Sequence, residues 1–212
     1  MPNINLFPKK KIIIFIIMIF LFANSYLANT ENDINVKIKK CTACHTLTGN
    51  SIAPIWPKIA EQHSEYLYKQ LIDYKKGKEG TRYDPTMVGM LQDVNEEDMK
   101  KISDYFSKQI IEKSKIKTTV NKIKQGKELY LYGDRSNNIA ACVGCHGIHA
   151  TGNKLANFPS LRWQHKDYII IQLKKFKNGD RANDPNAIMR DITTNMSTEQ
   201  MDVLADYLSC IE

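Results

Sequence analysis

Cys41-Thr42-Ala43-Cys44-His45 and, 101 residues later, Cys142-Val143-Gly144-Cys145-His146 carry one pattern. Cys-x-x-Cys-His is the attachment signature of c-type haem. The two thiols add across the two vinyl groups of the porphyrin. Two intervening residues let a single helical turn aim both sulfurs at the same porphyrin edge. The adjacent histidine then lies under the iron and can offer it a ring nitrogen. Four of the five cysteines fall in these two pentapeptides. A thioredoxin-like redox pair would need a βαβ setting, and no strand-like alternation flanks either copy. Structural zinc is the other use of such pairs. It brings its second pair within about 15–20 residues, far closer than here.

Outward from the motifs the sequence repeats itself. Gln62-His63 recurs as Gln164-His165, and Tyr66, Gln70-Leu71 and Gly77 recur as Tyr168, Gln172-Leu173 and Gly179. Pro57 recurs as Pro159, Met87 as Met189 and Asp104-Tyr105 as Asp206-Tyr207. These pairs are 102 apart, so one residue is inserted after the second motif, between Gly147 and Phe158. One offset with one small slip describes two duplicated domains of ordinary small size. The expected division is a leader over 1–28, domains over 29–112 and 120–212, and a linker over 113–119.

Each half reads as helices joined by irregular loops. Leu67, Leu71 and Tyr74 form a helical stripe, repeated by Ile169, Leu173 and Phe176. Gly77 and Gly179 are placed to end those helices. Met99, Ile102 and Phe106 mark the last helix of the first half; Met201, Leu204 and Leu208 mark that of the second. Ser197-Thr-Glu-Gln200 is a capping box, and Asn95-Glu-Glu-Asp98 a looser version of one. A helix from about Val120 to Tyr132 leads toward the second motif, with Gly126 allowing a neighbour close approach. Its counterpart, from Asp33 to Lys40, is shorter. No segment reads as a strand, so the expected class is all-α. The haem is expected to supply much of each small core.

A six-coordinate iron needs a second axial ligand. Met87 lies 42 residues after His45, and Met189 lies 43 after His146. Both follow a proline-containing loop, Asp84-Pro85 or Asp184-Pro185. Methionine opposite histidine is the ligand set of cytochromes c, and it raises the reduction potential. Met90 aligns with Ile192 and is expected to pack; Met99 and Met201 sit on core stripes. His63 and His165 are the rival repeated pair, read as hydrogen-bonding or surface groups. His149 has no counterpart and reads as a loop residue. Pro57 and Pro159 open Pro-x-Ile and Pro-x-Leu. A carbonyl there can accept from the other ring nitrogen of the proximal histidine, or the prolines simply shape loops.

At the start of the chain, Lys9, Lys10 and Lys11 precede an unbroken apolar run from Ile12 to Phe22, then Ala23-Asn-Ser-Tyr-Leu-Ala28. A basic start, a short apolar stretch and small residues make a secretory signal, cleaved between about 23 and 28. A bilayer-spanning helix needs roughly 20 apolar residues. Export fits haem attachment, which happens outside the cytoplasm. Without the three leader lysines the net charge falls from +7 to +4. Residues 31–112 hold 12 basic and 13 acidic residues, and residues 113–212 hold 15 and 10. That asymmetry can orient docking onto a charged partner. Nucleic-acid binding does not suit an exported chain of so modest an excess.

Both halves resemble class I cytochrome c domains, and their tandem arrangement is similar to the dihaem cytochrome c4 family from about residue 32 to the end. The residues carrying the resemblance are the two haem motifs, Pro57-Lys-Ile and Pro159-Ser-Leu, Tyr66 to Leu71 with its copy, Met87-Val-Gly-Met-Leu91 and Ile188-Met-Arg190. The resemblance implies two haem c groups held through Cys41, Cys44, Cys142 and Cys145. It implies iron bound by His45 and Met87 in one half and by His146 and Met189 in the other. It implies two domains packed about a pseudo-twofold axis. Family members are periplasmic electron carriers, often soluble or loosely membrane-associated, and some donate to terminal oxidases. The expected partners are redox proteins, a membrane oxidase or a quinol-oxidising complex. A haem subunit of a larger dehydrogenase and a dihaem peroxidase are the alternatives; the second needs an open iron, which the methionine pair argues against. Cys210 departs from the pattern and has no role in it.

Overall fold

The computed structural model describes residues 13–14, 16–19, 35–115 and 117–212. The described residues contain helices, turns and three isolated bridges but no strand. In the first half α1 spans residues 35–45, followed by α2 (Ser64–Lys75), α3 (Pro85–Met90) and α4 (Glu96–Ser107). The second half has α5 (Val120–Tyr132), α6 (Val143–His146), α7 (Lys166–Asn178), α8 (Ile188–Thr194) and α9 (Thr198–Cys210). This is the all-α, internally duplicated architecture that the repeat implies. Residues 13–14 and 16–19, within the segment expected to be a leader, are helical, and the rest of that segment lies outside the described residues. Among the described residues no helix is long and apolar enough to cross a membrane.

The helix before the first motif does not stop at Lys40. It runs on to residue 45, so the first pentapeptide is its last turn. In the second half α5 ends at Tyr132 and a tight loop intervenes, closed by a bridge between Asp134 and Ile139. The second motif then builds its own short helix, α6.

Local chemistry sets the helix ends. Asn95 forms a complete capping box, stronger than its sequence suggests. Its Oδ1 accepts from Asp98 N at 2.9 Å, while Asp98 Oδ2 accepts from Asn95 N at 3.1 Å. Ser197 and Gln200 do the same for α9. Each box satisfies two otherwise orphaned backbone donors. Gly179 closes α7 at φ +80°, in the left-handed region where a Cβ is costly. Gly77 follows the last turn of α2 at φ +65°.

The apolar stripes converge as two cores. Met99, Ile102 and Phe106 join Ile38, Leu91 and Val94 in the first half. Met201, Leu204 and Leu208 join Leu129, Tyr130, Ile169, Leu173 and Met196 in the second. Leu67, Leu71 and Tyr74 pack against the first core and stay partly buried. Met90 does not pack as expected: it ends α3 and is 41% exposed.

The halves meet across a polar seam. Arg82 and Arg181 pair as an isolated antiparallel bridge, and Ala182 N donates to Thr81 O at 2.7 Å. Arg82 Nη2 donates to the Tyr168 hydroxyl at 2.9 Å, and Arg181 Nη2 to the Tyr66 hydroxyl at 2.8 Å. Gln70 accepts from both guanidinium groups. Such reciprocity is what a twofold relation produces.

Candidate haem sites

The first site is built from the end of α1. Cys41, Cys44 and the following His45 share its last turn. The second is built from Cys142 and α6. Among the described residues no cysteines are joined as a disulfide. Before any attachment, burial raises the pKa of the Cys41 and Cys142 thiols to about 11.

The histidines are held alike. His45 and His146 are only 7% and 6% exposed. His45 Nδ1 donates to Pro57 O at 2.9 Å, and His146 Nδ1 donates to Pro159 O at 2.9 Å. A carbonyl only accepts, so Nδ1 carries the hydrogen and Nε2 keeps a lone pair. Burial lowers both histidine pKa values, while the proline carbonyls push the other way. The rings are therefore held neutral, the form that ligates a metal.

Why the two prolines arrive at the same place lies in the backbone. Beyond each histidine the chain enters the left-handed region at Thr46 and Gly147, with φ of 61° and 76°. It does so again at Gly49 and Ala150, and at Glu61 and Trp163. Gly49 O accepts from Ile59 N, and Ala150 O from Leu161 N, both at 2.8 Å. Glu61 N donates to Phe106 O, and Trp163 N to Leu208 O, tying each loop to the last helix of its half. The residue types differ while the turns agree. The backbone repeats more faithfully than the sequence.

Met87 and Met189 are both half-buried. They sit within short helices rather than in the loops the sequence suggests. Asp84 is the N-cap of α3, accepting from Thr86 N and Met87 N, and Pro85 takes the first turn. Proline there has no donor to lose. Asp184 does not repeat this: the N-cap of α8 is Ala187, and the Asp184 carboxylate accepts instead from Arg190 N at 3.0 Å and Arg190 Nε at 2.9 Å. Met99 and Met201 are buried in the cores.

His165 and His149 take hydrogen-bonding roles, and His63 does not. His165 Nε2 donates across the seam to Ser51 O at 2.8 Å. His63 faces the Thr151 backbone but falls short of a hydrogen bond through Nε2. His149 Nδ1 donates to Glu212 O at 3.2 Å. Cys210 is half-buried with its thiol toward Asp206 O, and burial raises its pKa.

This donor set fits haem c at both motifs: two thiols and a neutral imidazole on one turn, with Nδ1 anchored and Nε2 left over. Among the described residues no three of His, Cys, Asp and Glu gather as a metal cage, so the two cysteine pairs do not meet as a four-thiolate zinc site.

Two sets of seam residues carry no role that the sequence assigns. Gln62 and Gln164 are visible in the repeat, yet nothing in the sequence says what they touch. Arg82 and Arg181 are 99 apart, off the common offset, so the repeat hides them. Among the described residues neither guanidinium forms an ion pair.

The cytochrome c family model matches residues 36–109 and 123–211. A cytochrome c4 of Stutzerimonas stutzeri is 38% identical over 180 residues, which cover 81% of this chain and 84% of that protein. A thiosulfate dehydrogenase electron acceptor of Thiomonas intermedia is 32% identical over 171 residues, covering 80% and 77%. Among solved structures, reduced recombinant cytochrome c4 of Pseudomonas stutzeri matches with a TM-score of 0.79 at 36% identity. That match covers 85% of this chain and 98% of the other.

Proposed function

The chain belongs to the cytochrome c4 family of dihaem c-type cytochromes, and from that premise we propose that it is an exported electron carrier of the periplasm. Cys41 and Cys44 tether one haem and Cys142 and Cys145 the other. His45 with Met87 would hold one iron, and His146 with Met189 the other. The domains run over 29–112 and 120–212, joined by 113–119, after removal of a leader within residues 1–28. When bound, each haem supplies reversible one-electron chemistry.

The protein's part is to hold and to exclude. The thioether bonds fix each porphyrin edge. The Pro57 and Pro159 carbonyls fix each imidazole and raise its basicity. Met87 and Met189 would complete the two ligand sets, which would keep small molecules off the metal and argues against peroxidase chemistry. With His45, Met87, His146 and Met189 all supplied by the chain, little rearrangement of these side chains would accompany a change of charge. Ligand type, hydrogen bonding and burial then set the potential. The observation that carries this reading is the twice-built His-to-proline-carbonyl bond on matching left-handed turns.

On the output side a membrane respiratory oxidase takes the electrons. On the input side the Thiomonas intermedia relative, a thiosulfate dehydrogenase electron acceptor, favours supply by a dehydrogenase. Loose association with the membrane is compatible with both.

The test is the absorption spectrum of the purified protein in both redox states, with Met87→Ala and Met189→Ala beside it. A weak far-red band of the oxidised form reports methionine–iron bonding. Each single variant is expected to lose about half of it, and the double variant all of it. A band unchanged in both single variants would remove the methionines from the ligand set. Rapid reoxidation by a membrane fraction is expected of a free carrier; obligate co-purification with a second chain would make it a fixed subunit.

A further inference from the structure

Gln62 and Gln164 hold equivalent places in the two halves, and each side chain reaches into the other half. Gln164 Oε1 accepts from Lys58 N at 2.8 Å, and its Nε2 donates to Lys58 O at 2.8 Å. Gln62 Oε1 accepts from Ser160 N at 2.9 Å, and its Nε2 donates to Ser160 O at 2.9 Å. Each Oε1 also accepts from the next backbone N–H, His63 N or His165 N, at 3.0 Å. The two side chains are 9% and 8% exposed, so these bonds lie out of water.

The targets are specific. Lys58 N and Pro57 O belong to one peptide unit, as do Ser160 N and Pro159 O. Those two carbonyls accept from His45 and His146. An unbroken chain therefore runs from His45 Nδ1–H to the Pro57 carbonyl, through its peptide to Lys58 N–H, and on to Gln164 Oε1. The mirror chain runs from His146 through the Pro159–Ser160 peptide to Gln62. Adhesion alone could have used any backbone group along the seam. Both glutamines instead accept from the N–H of the one peptide whose carbonyl orients the opposite half's histidine, and donate to the next carbonyl along.

From this geometry we infer that Gln164 and Gln62 are positioning residues, each tuning the haem of the other half. An acceptor on a peptide N–H polarises that amide and strengthens its carbonyl as an acceptor; bonds in such chains reinforce one another by roughly 10–30% each. A stronger acceptor on Nδ1–H gives the imidazole more anionic character and makes it a better donor to iron. That favours the ferric state and lowers the potential. The inference rests on His45 and His146 as iron ligands.

The experiment uses the full-length holoprotein, with the two haems distinguished by their haem-methyl NMR resonances during a redox titration. Gln164→Leu is expected to raise the potential of the haem on Cys41 and Cys44 and leave the other unmoved. Gln62→Leu is expected to do the reverse. His165→Leu breaks a different bond across the same seam, to Ser51, without touching the Pro57–Lys58 peptide, and is expected to move neither. If Gln164→Leu does not accumulate as holoprotein, Gln164→Asn is one methylene too short to keep both bonds and is expected to shift the same haem upward. A shift confined to the variant's own half, an equal shift of both haems, or no shift with a wild-type spectrum overturns the inference and leaves the ligands standing. A wild-type spectrum without histidine ligation overturns both.

Discussion

Gly126 of α5 lies so close to Val203 of α9 that a Cβ on it would stand 2.0 Å from the Val203 carbonyl oxygen and 2.8 Å from Tyr207 Cβ. Neither neighbour is a flexible side-chain tip. Gly126→Ala must therefore push the two helices apart. Overpacking of this kind costs about 1–3 kcal/mol, against which the better helix propensity of alanine returns at most about 1 kcal/mol. A net loss of about 1–2 kcal/mol is expected in denaturant unfolding of the holoprotein. An unchanged midpoint would mean that α5 and α9 are not pressed together here.

Asp98 gives the first half a pH dependence. It is 5% exposed, closes the capping box with Asn95 and forms an ion pair with Lys37 at 2.6 Å. Burial alone would raise its pKa, but Lys37 and the Asn95 N–H outweigh it and hold the carboxyl below its ordinary value. A depressed folded-state pKa adds stability that is complete above the unfolded value, about 3.9, and is lost as pH falls through the folded one. Asp98→Asn is expected to cost about 2 kcal/mol at pH 7, the scale of a charged hydrogen bond. The gap between variant and wild type should close as pH drops below about 4. A gap that stays constant from about pH 7 to about pH 3 would show that the charge contributes nothing.

Haem attachment and folding should be coupled. Among the described residues the first core has six buried apolar residues, a small number for a stand-alone domain. Material expressed without haem attachment is expected to show much less helix by circular dichroism than the holoprotein. Full native helicity in that material would show the cores to be sufficient alone.

How much of this is legible in the sequence varies by residue. The cysteines and histidines are read directly, because covalent attachment demands a fixed spacing. The helix stripes follow from periodicity, and Met99, Phe106, Met201 and Leu208 are buried as the stripes imply. The Asn95 cap is stronger than its sequence suggests, because Asp98 at its third position substitutes for the usual Glu or Gln. Met90 reads as a packing residue and is not one, since a short helix hides which face meets the core. Arg82 and Arg181 escape the sequence altogether: insertions and deletions on either side shift them off the common offset. The glutamines stand out in the repeat without showing their purpose. Their partners are main-chain atoms more than 90 residues away, and a backbone amide looks the same at every position of a sequence.

The exchange of glutamines across the seam has one more consequence. Each half presents both the reaching side chain and the peptide that receives it, so either half is complementary to a twin of itself. Two copies of one such unit, never fused, could dock face to face through the same four hydrogen bonds. Joining them end to end turns a concentration-dependent encounter into a permanent one, and frees the two copies to drift apart in sequence while the handshake between them persists.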